Sequence, residues 1–224
     1  MPRTARKTPG GMVFHVLIRG VGRMGLFASD PDYQAFEQIL AETLLVRPTR
    51  LLGYCLMPNH WHMVLWPQGD GEISAFMQLL TTTHASNWQL YHDRAGQGHV
   101  YQGRFKSFPV ETDEHFFQVM RYVERNALRA GLASTAEAWP WCSLWRRIQG
   151  TSTDRAMLAE WPAQIGENWL DYVNQPQTDA ELTAIRKCVA KGTPYGSKEW
   201  IKMMGDPSKT PPASANRPRN MKRF

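Results

Sequence analysis

Residues 50–66 read RLLGYCLMPNHWHMVLW, two apolar, β-forming runs with only Pro58 and Asn59 between them. A connection that short fits a tight turn, so the runs 50–57 and 60–66 pair as an antiparallel hairpin. Any fold for this chain has to be built around that ribbon, because an isolated two-stranded hairpin is barely stable in water.

The neighbouring segments supply what the hairpin needs. MVFHVLIRG, residues 12–20, is β-branched and aromatic and ends at a glycine, which predicts a strand. Asp30 as N-cap and Pro31 in the first turn open a helix whose Phe36, Ile39, Leu40 and Leu44 recur at helical spacing until Pro48. Residues 72–91 carry Ile73, Phe76, Met77, Leu80 and Trp88 and read as a second helix, followed by the loop DRAGQGH. RFKSFPVE, residues 104–111, fits a fourth strand, with Pro109 arguing for a sheet edge or a bulge. The order strand, helix, strand, strand, helix, strand is the ferredoxin-like βαββαβ arrangement: an α+β fold whose four-stranded antiparallel sheet carries both helices on one face.

A third helix is expected from Asp113 to about Leu128, and composition shifts after the Trp-rich AWPWCSLW segment, which is more often core than binding platform. We therefore divide the chain at residue 150. Residues 151–206 form a helical extension, in which Thr178 and Glu181 make a capping-box pattern for a helix to about Ala190 and Ser197 caps a short helix through Met204. The KGTPYG segment between them is either part of a small DNA-contacting unit or a packing appendage. Residues 207–224 hold Lys209, Arg217, Arg219, Lys222 and Arg223 with interspersed prolines and no acidic residue, a composition that predicts disorder in the free chain.

Charge narrows the class of partner. Lys and Arg number 26 against 20 Asp and Glu, a net +6, which points to an anionic partner, nucleic acid ahead of acidic lipid. Cys55, Cys142 and Cys188 are odd in number and far apart, so they suggest neither a disulfide framework nor a zinc knuckle, and a reducing cytoplasm fits. The basic start MPRTARKTPGG lacks the apolar segment of a secretory signal, and no run of 18 apolar residues implies a membrane span.

Within the hairpin, His60, Trp61 and His62 are consecutive. Side chains alternate along a strand, so His60, His62, Val64 and Trp66 share one face, and Trp61, Met63 and Leu65 the other. The two histidine α-carbons then lie about 6.6 Å apart, a separation from which both rings can converge on one metal ion. Most histidines ligate nothing, and with seven in the chain such a pair also arises by coincidence. A third ligand and a reactive group are what distinguish the two cases.

Both have candidates on the third helix, EHFFQVMRYVERNALRAGL. Phe116, Val119, Met120, Val123 and Ala127 make an ordinary core stripe, while Gln118, Tyr122, Arg125, Asn126 and Arg129 make a second stripe beside it. Helical tyrosines usually pack. Tyr122, however, has polar neighbours four residues away on both sides and two nearby arginines, surroundings suited to a phosphate. Asn126, one turn after Tyr122, offers a carbonyl oxygen as a candidate third metal ligand. Arg104 and Lys106 on the fourth strand, with Arg125 and Arg129, are candidate phosphate contacts. His115, seven residues before Tyr122, is an exposed histidine near a helix start, with proton transfer or DNA contact as the alternative.

These residues carry a resemblance. HWH resembles the HUH motif (His, bulky hydrophobic, His) of single-tyrosine transposases and nickases, and YVERNALRAGL resembles the tyrosine helix of the REP-associated tyrosine transposases. The likeness extends to TPGGMVFHVLIRG, MPNHWHMVLWP, VYQGRF and KGTPYGSKEW, most of residues 8–205. The resemblance implies a ferredoxin-like domain that holds Mg²⁺ or Mn²⁺ and cuts single-stranded DNA near palindromic hairpins, leaving a 5′-phosphotyrosine and a free 3′-OH. By position, His60 and His62 would be the metal ligands, Tyr122 the nucleophile and Asn126 the candidate third ligand. The implied partner is single-stranded or hairpin DNA with repetitive palindromic elements, with no membrane and no nucleotide cofactor. The protein would be a monomer, as REP-associated members can be, or a homodimer, as the insertion-sequence enzymes are. The family often has Asn-Pro where this chain has Asn126-Ala127. The competing expectation is a non-catalytic hairpin-binding protein on the same scaffold. A metal hydrolase using the histidine pair has no further His or Asp cluster at suitable spacing.

Overall fold

The computed structural model describes residues 8–164 and 168–204. The basic segment 207–224 lies outside the described residues. The chain forms β1 (Val13–Arg19), α1 (Asp30–Val46), β2 (Arg50–Met57), β3 (His60–Trp66), α2 (Glu72–Tyr91) and β4 (Lys106–Val110). The four strands make one sheet in the order β2-β3-β1-β4, every neighbouring pair antiparallel. This is the expected ferredoxin-like topology, and the hairpin has its expected bounds, with Met57 opposite His60 across the Pro58–Asn59 turn.

Alternation along the strands divides the side chains between two cores. Phe14, Val16, Ile18, Tyr54, Leu56, Trp61, Met63 and Leu65 face α1 and α2 and pack with Phe36, Leu40, Phe76 and Leu80. Trp61 is fully buried there, so its ring holds the hairpin against the helical layer while its neighbours His60 and His62 point the other way. The second face presents Val13, Leu52, Cys55, Val64, Phe108 and Val110 to the third helix and the C-terminal segments.

Three boundaries differ from the sequence expectation. Ser29, not Asp30, caps α1. Its backbone is extended, and the Asp32 carboxylate accepts from the Ser29 and Ala28 amides at 3.0 and 2.8 Å, a reciprocal cap that works only from three residues upstream. The fourth strand begins at Lys106 rather than 104. Tyr101 bridges to Gly20, residues 102–104 bend out through Gly103 at φ 86°, and Arg104 is an exposed residue of that bend, off the strand.

The third boundary matters most. The expected continuous helix from Asp113 is two pieces, α3 (Glu114–Glu124) and α4 (Asn126–Arg129), with Arg125 between them at φ −84°, ψ 2°. Asp113 caps α3 by accepting from the His115 amide at 2.8 Å. Phe116, Val119, Met120, Val123 and Ala127 are all fully buried, as the core stripe requires.

Pro109 sits on an edge strand, where its missing N–H breaks no ladder. That edge is not bare. Tyr195 of KGTPYG donates its amide to the Pro109 carbonyl at 2.9 Å and accepts from the Glu111 amide at 3.0 Å, so this segment packs along β4. Helices α5 (Ser143–Gln149), α6 (Ser152–Ala156), α7 (Trp169–Asn174), α8 (Asp179–Lys191) and α9 (Lys198–Met204) complete the described chain. Thr178 and Glu181 form the expected capping box of α8, and Ser197 Oγ accepts from the Trp200 amide at 3.2 Å. Val173, Ile185 and Cys188 are buried in the same core as the second sheet face. Trp141 stacks on Tyr33 at 4.8 Å and the Trp139 indole donates to the Leu56 carbonyl, so AWPWCSLW is core. Among the described residues no helix is long and apolar enough to cross a membrane.

Candidate active site

The central strand β1 and its neighbour β3 place four polar side chains on the face opposite α1 and α2. In the antiparallel register Arg19 lies opposite His60, Leu17 opposite His62, and His15 opposite Val64. Residues directly across such a pair point to the same side, so Arg19 and His60 are flank to flank and His15 is diagonal to His62. His15 and His62 are 1% and 2% exposed, whereas His60, at the strand start, is half-buried.

Each imidazole is oriented by a partner. His62 Nδ1 lies 2.8 Å from His15 Nε2, and His60 Nδ1 lies 2.7 Å from Asn59 Oδ1. The ring centres of His60 and His62 are 5.1 Å apart. Burial lowers His15 to about 3 and His60 to about 4, the latter helped by the nearby Arg19 and Arg129 charges. Burial likewise holds His62 well below the usual imidazole range, with His15, His60, Arg129 and Arg19 adding repulsion. All three rings are therefore neutral at physiological pH, the form that can donate a lone pair.

Helix α3 delivers Tyr122 to this place. Its ring centre is 5.6 Å from that of His62 and 6.1 Å from that of His15, both edge-on, and the residue is 7% exposed. The tyrosine and the histidine pair, 60 residues apart in sequence, are thus brought together. The stripe on which Tyr122 stands is less open than its polar character suggests. Tyr195 donates its hydroxyl to Gln118 Oε1 at 2.5 Å, and Gln177 donates to the Gln118 carbonyl at 3.3 Å. Arg121 is buried and pairs with Glu181 at 2.7 Å.

Asn126 is 5% exposed and its Oδ1 accepts from Arg129 at 2.6 Å, while its Nδ2 is buried without a hydrogen-bond partner. The helical wheel assumed an unbroken helix; the turn at Arg125 re-aims Asn126, and its oxygen is engaged by an arginine. Arg129 also places its guanidinium 4.3 Å from the Tyr122 ring centre and donates to the Tyr122 carbonyl at 3.3 Å. Arg125 Nε reaches the Asn174 carbonyl at 3.4 Å, and Lys106 is exposed at the start of β4.

Sequence reasoning missed two members of this cluster, His15 and Arg19. Both stand on the His60 face in FHVLIR, and the signal was there in the alternation of that strand, once its pairing with β3 is known. Arg19 has no acidic partner among the described residues, and its Nε is buried and unpartnered. The sequence named His115 alone as a candidate, without its grouping with Glu111 and Asp113, whose ligand atoms lie with its own within 4.8 Å of one another. That set is at the start of α3, and its nearest member in sequence, His115, is seven residues or about 10 Å of helix from Tyr122. Its atoms are occupied: Asp113 Oδ1 takes the His115 amide and ring nitrogen at 2.8 Å each, and Glu111 Oε2 takes the Ser197 amide at 2.6 Å. His115 accordingly belongs to a helix cap, half-buried against Tyr195.

The βαββαβ sheet thus sets two neutral histidines beside a helical tyrosine and two arginines, a group of side chains that can engage an anion. Residues 10–126, more than half of the chain, match the family described as "Transposase IS200 like", and the chain belongs to that family. It is a transposase-type, DNA-processing protein. Among solved structures it is similar to a REP-associated tyrosine transposase bound to a REP hairpin, with TM-score 0.56 and 14% identity over 80% of this chain and 93% of that one. At that identity the likeness speaks for the fold. A Deinococcus radiodurans R1 protein assigned as a transposase is 18% identical over 55% of this chain and 92% of its own, at TM-score 0.38, too low to carry an argument. No curated protein sequence matches the chain.

Proposed function

We propose that the protein cleaves and rejoins single-stranded DNA at palindromic hairpin repeats, with Tyr122 as nucleophile and His60 and His62 as ligands of Mg²⁺ or Mn²⁺. The observation that carries this reading is the packing of the Tyr122 ring against His62, 5.6 Å between centres. A phenol attacks phosphorus, the P–O3′ bond breaks, and the 3′ oxygen leaves with a proton, giving a 5′-phosphotyrosine and a free 3′-OH. Attack by a 3′-OH on the same phosphorus runs the reaction backwards and restores the phenol. No nucleotide cofactor is required, because the phosphotyrosine conserves the bond energy.

The donor set fits a divalent cation. Both histidines are neutral and each has Nδ1 engaged inside the protein, which leaves Nε2 as the ligating atom of each. A cation so held supplies Lewis-acid polarisation of a nonbridging phosphate oxygen. Arg19 and Arg129 add two guanidiniums with no carboxylate partner among the described residues, a local excess of positive charge that a phosphodiester balances. Asn126 is a weaker ligand candidate while Arg129 holds its oxygen.

The test is incubation of the full chain with end-labelled hairpin oligonucleotides and Mn²⁺, followed by a denaturing gel. An adduct that survives denaturation and is absent in Tyr122→Phe is expected. Equal adduct from Tyr122→Phe removes Tyr122 as nucleophile. Salt-sensitive binding with no adduct under any divalent ion makes the protein a non-catalytic hairpin binder.

A further inference from the structure

His15 is buried in the middle of β1, wedged between the Phe108 ring at 4.8 Å and the edge of Tyr122 at 6.1 Å. An apolar side chain would fill such a place at less cost, because an imidazole must give up its hydration on burial. What the imidazole adds is one contact, Nε2 to His62 Nδ1 at 2.8 Å. Two ring nitrogens at that distance need a single proton between them, since two lone pairs repel and two N–H groups collide.

Two arrangements satisfy this. If His15 donates, the proton of neutral His62 moves to Nε2, and that nitrogen cannot ligate a cation. If His62 donates from Nδ1, its Nε2 carries the free lone pair. The companion ring decides its own case unaided. Asn59 Nδ2 faces the Arg23 carbonyl at 3.4 Å, so Asn59 presents Oδ1, which only accepts, and His60 Nδ1 must donate. His60 is left with Nε2 free, and His62 matches it only in the second arrangement.

We infer that His15 is a positioning residue: it accepts the His62 Nδ1 proton, fixes that ring's tautomer and angle, and holds Nε2 ready for a divalent cation. The inference rests on the reading of His60 and His62 as a metal pair. An outer partner of this kind typically changes metal affinity about 10- to 100-fold when removed.

The experiment uses the full chain, ¹⁵N-labelled and metal-free, and has two arms. Long-range ¹H–¹⁵N correlation spectra report which nitrogen of His62 bears the proton; the wild type is expected to show it on Nδ1. A His62 proton on Nε2 overturns the inference without any variant being made. In the second arm Mn²⁺ affinity is measured by electron paramagnetic resonance for wild type, His15→Phe and His15→Gln, with thermal unfolding to confirm that each is folded. His15→Phe is expected to bind Mn²⁺ about 10- to 100-fold more weakly, and His15→Gln, whose amide oxygen can accept the same proton, within about threefold of wild type. If wild type binds Mn²⁺ and folded His15→Phe binds it equally well, the inference alone fails. If wild type binds no Mn²⁺, the metal reading fails and takes this inference with it.

Discussion

The guanidinium of Arg129 lies 4.3 Å from the centre of the Tyr122 ring. The same group donates to Asn126 Oδ1 at 2.6 Å and to the Tyr122 carbonyl at 3.3 Å, so one side chain from α4 fixes the ring, the helix end and the amide together. Its planar fork allows this; a lysine has one charged nitrogen and no plane to stack. Arg129→Ala should slow adduct formation with hairpin DNA about a hundredfold. It should also cost about 1–3 kcal/mol of stability by leaving the Asn126 oxygen unpaired. Arg129→Lys should recover stability better than rate. Single-turnover adduct kinetics with urea unfolding check both, and a wild-type rate in Arg129→Ala would rule out a part for Arg129 in cleavage.

Arg19 offers a separate reading of the charge. Its place opposite His60 and its unpartnered Nε suit a phosphate contact, so Arg19→Gln should weaken binding of single-stranded oligonucleotides uniformly across sequences. The slope of log affinity against log salt should fall in magnitude by about 0.7, the release expected for one phosphate contact on a single strand. An unchanged slope would mean that Arg19 touches no phosphate.

Glu124 gives the fold a pH dependence. Its carboxylate is fully buried, accepting from Ser143 Oγ at 2.7 Å and the Trp169 indole at 3.0 Å, and burial pushes its pKa up to about 7 despite those donors. The folded chain then holds this proton where the unfolded chain has released it. The contribution is therefore complete below the ordinary carboxylate pKa of about 4.3 and is lost as pH rises toward 7, by roughly 2–4 kcal/mol. Glu124→Gln keeps acceptor capacity and cannot ionise, so denaturation at about pH 5 and pH 8 should show wild type losing stability relative to the variant. Parallel curves for the two proteins would contradict the raised pKa.

Glu181 ties the extension to the tyrosine helix. It pairs with buried Arg121 at 2.7 Å and closes the capping box with Thr178. Glu181→Ala should cost about 3–5 kcal/mol, because it strands a buried guanidinium and removes a cap, whereas Thr178→Ala should cost about 1 kcal/mol. Urea unfolding of the two variants separates the ion pair from the cap; equal losses would show that the pair adds nothing.

Much of this architecture could be read from local pattern. The hairpin, α2 and the α8 capping box follow from strand alternation, helical spacing and capping chemistry, which act over a few residues. HWH announced itself because a two-residue period fixes which side chains share a face. The break at Arg125 was invisible to a wheel that assumes constant rotation, and the bend that removes Arg104 from β4 depends on a glycine at φ 86°. The company kept by Asn126 therefore differs from the expectation drawn along the helix.

The sequence by itself determined the strand and helix order and the shared face of His60 and His62, and it offered Tyr122 as a candidate for the reactive group. Only the tertiary structure decided that β1 lies beside β3 in a register setting Arg19 against His60 and His15 within hydrogen-bond reach of His62. The reason is physical: side-chain periodicity is a property of one segment, whereas strand register and helix docking are settled jointly by burial across segments distant in the chain.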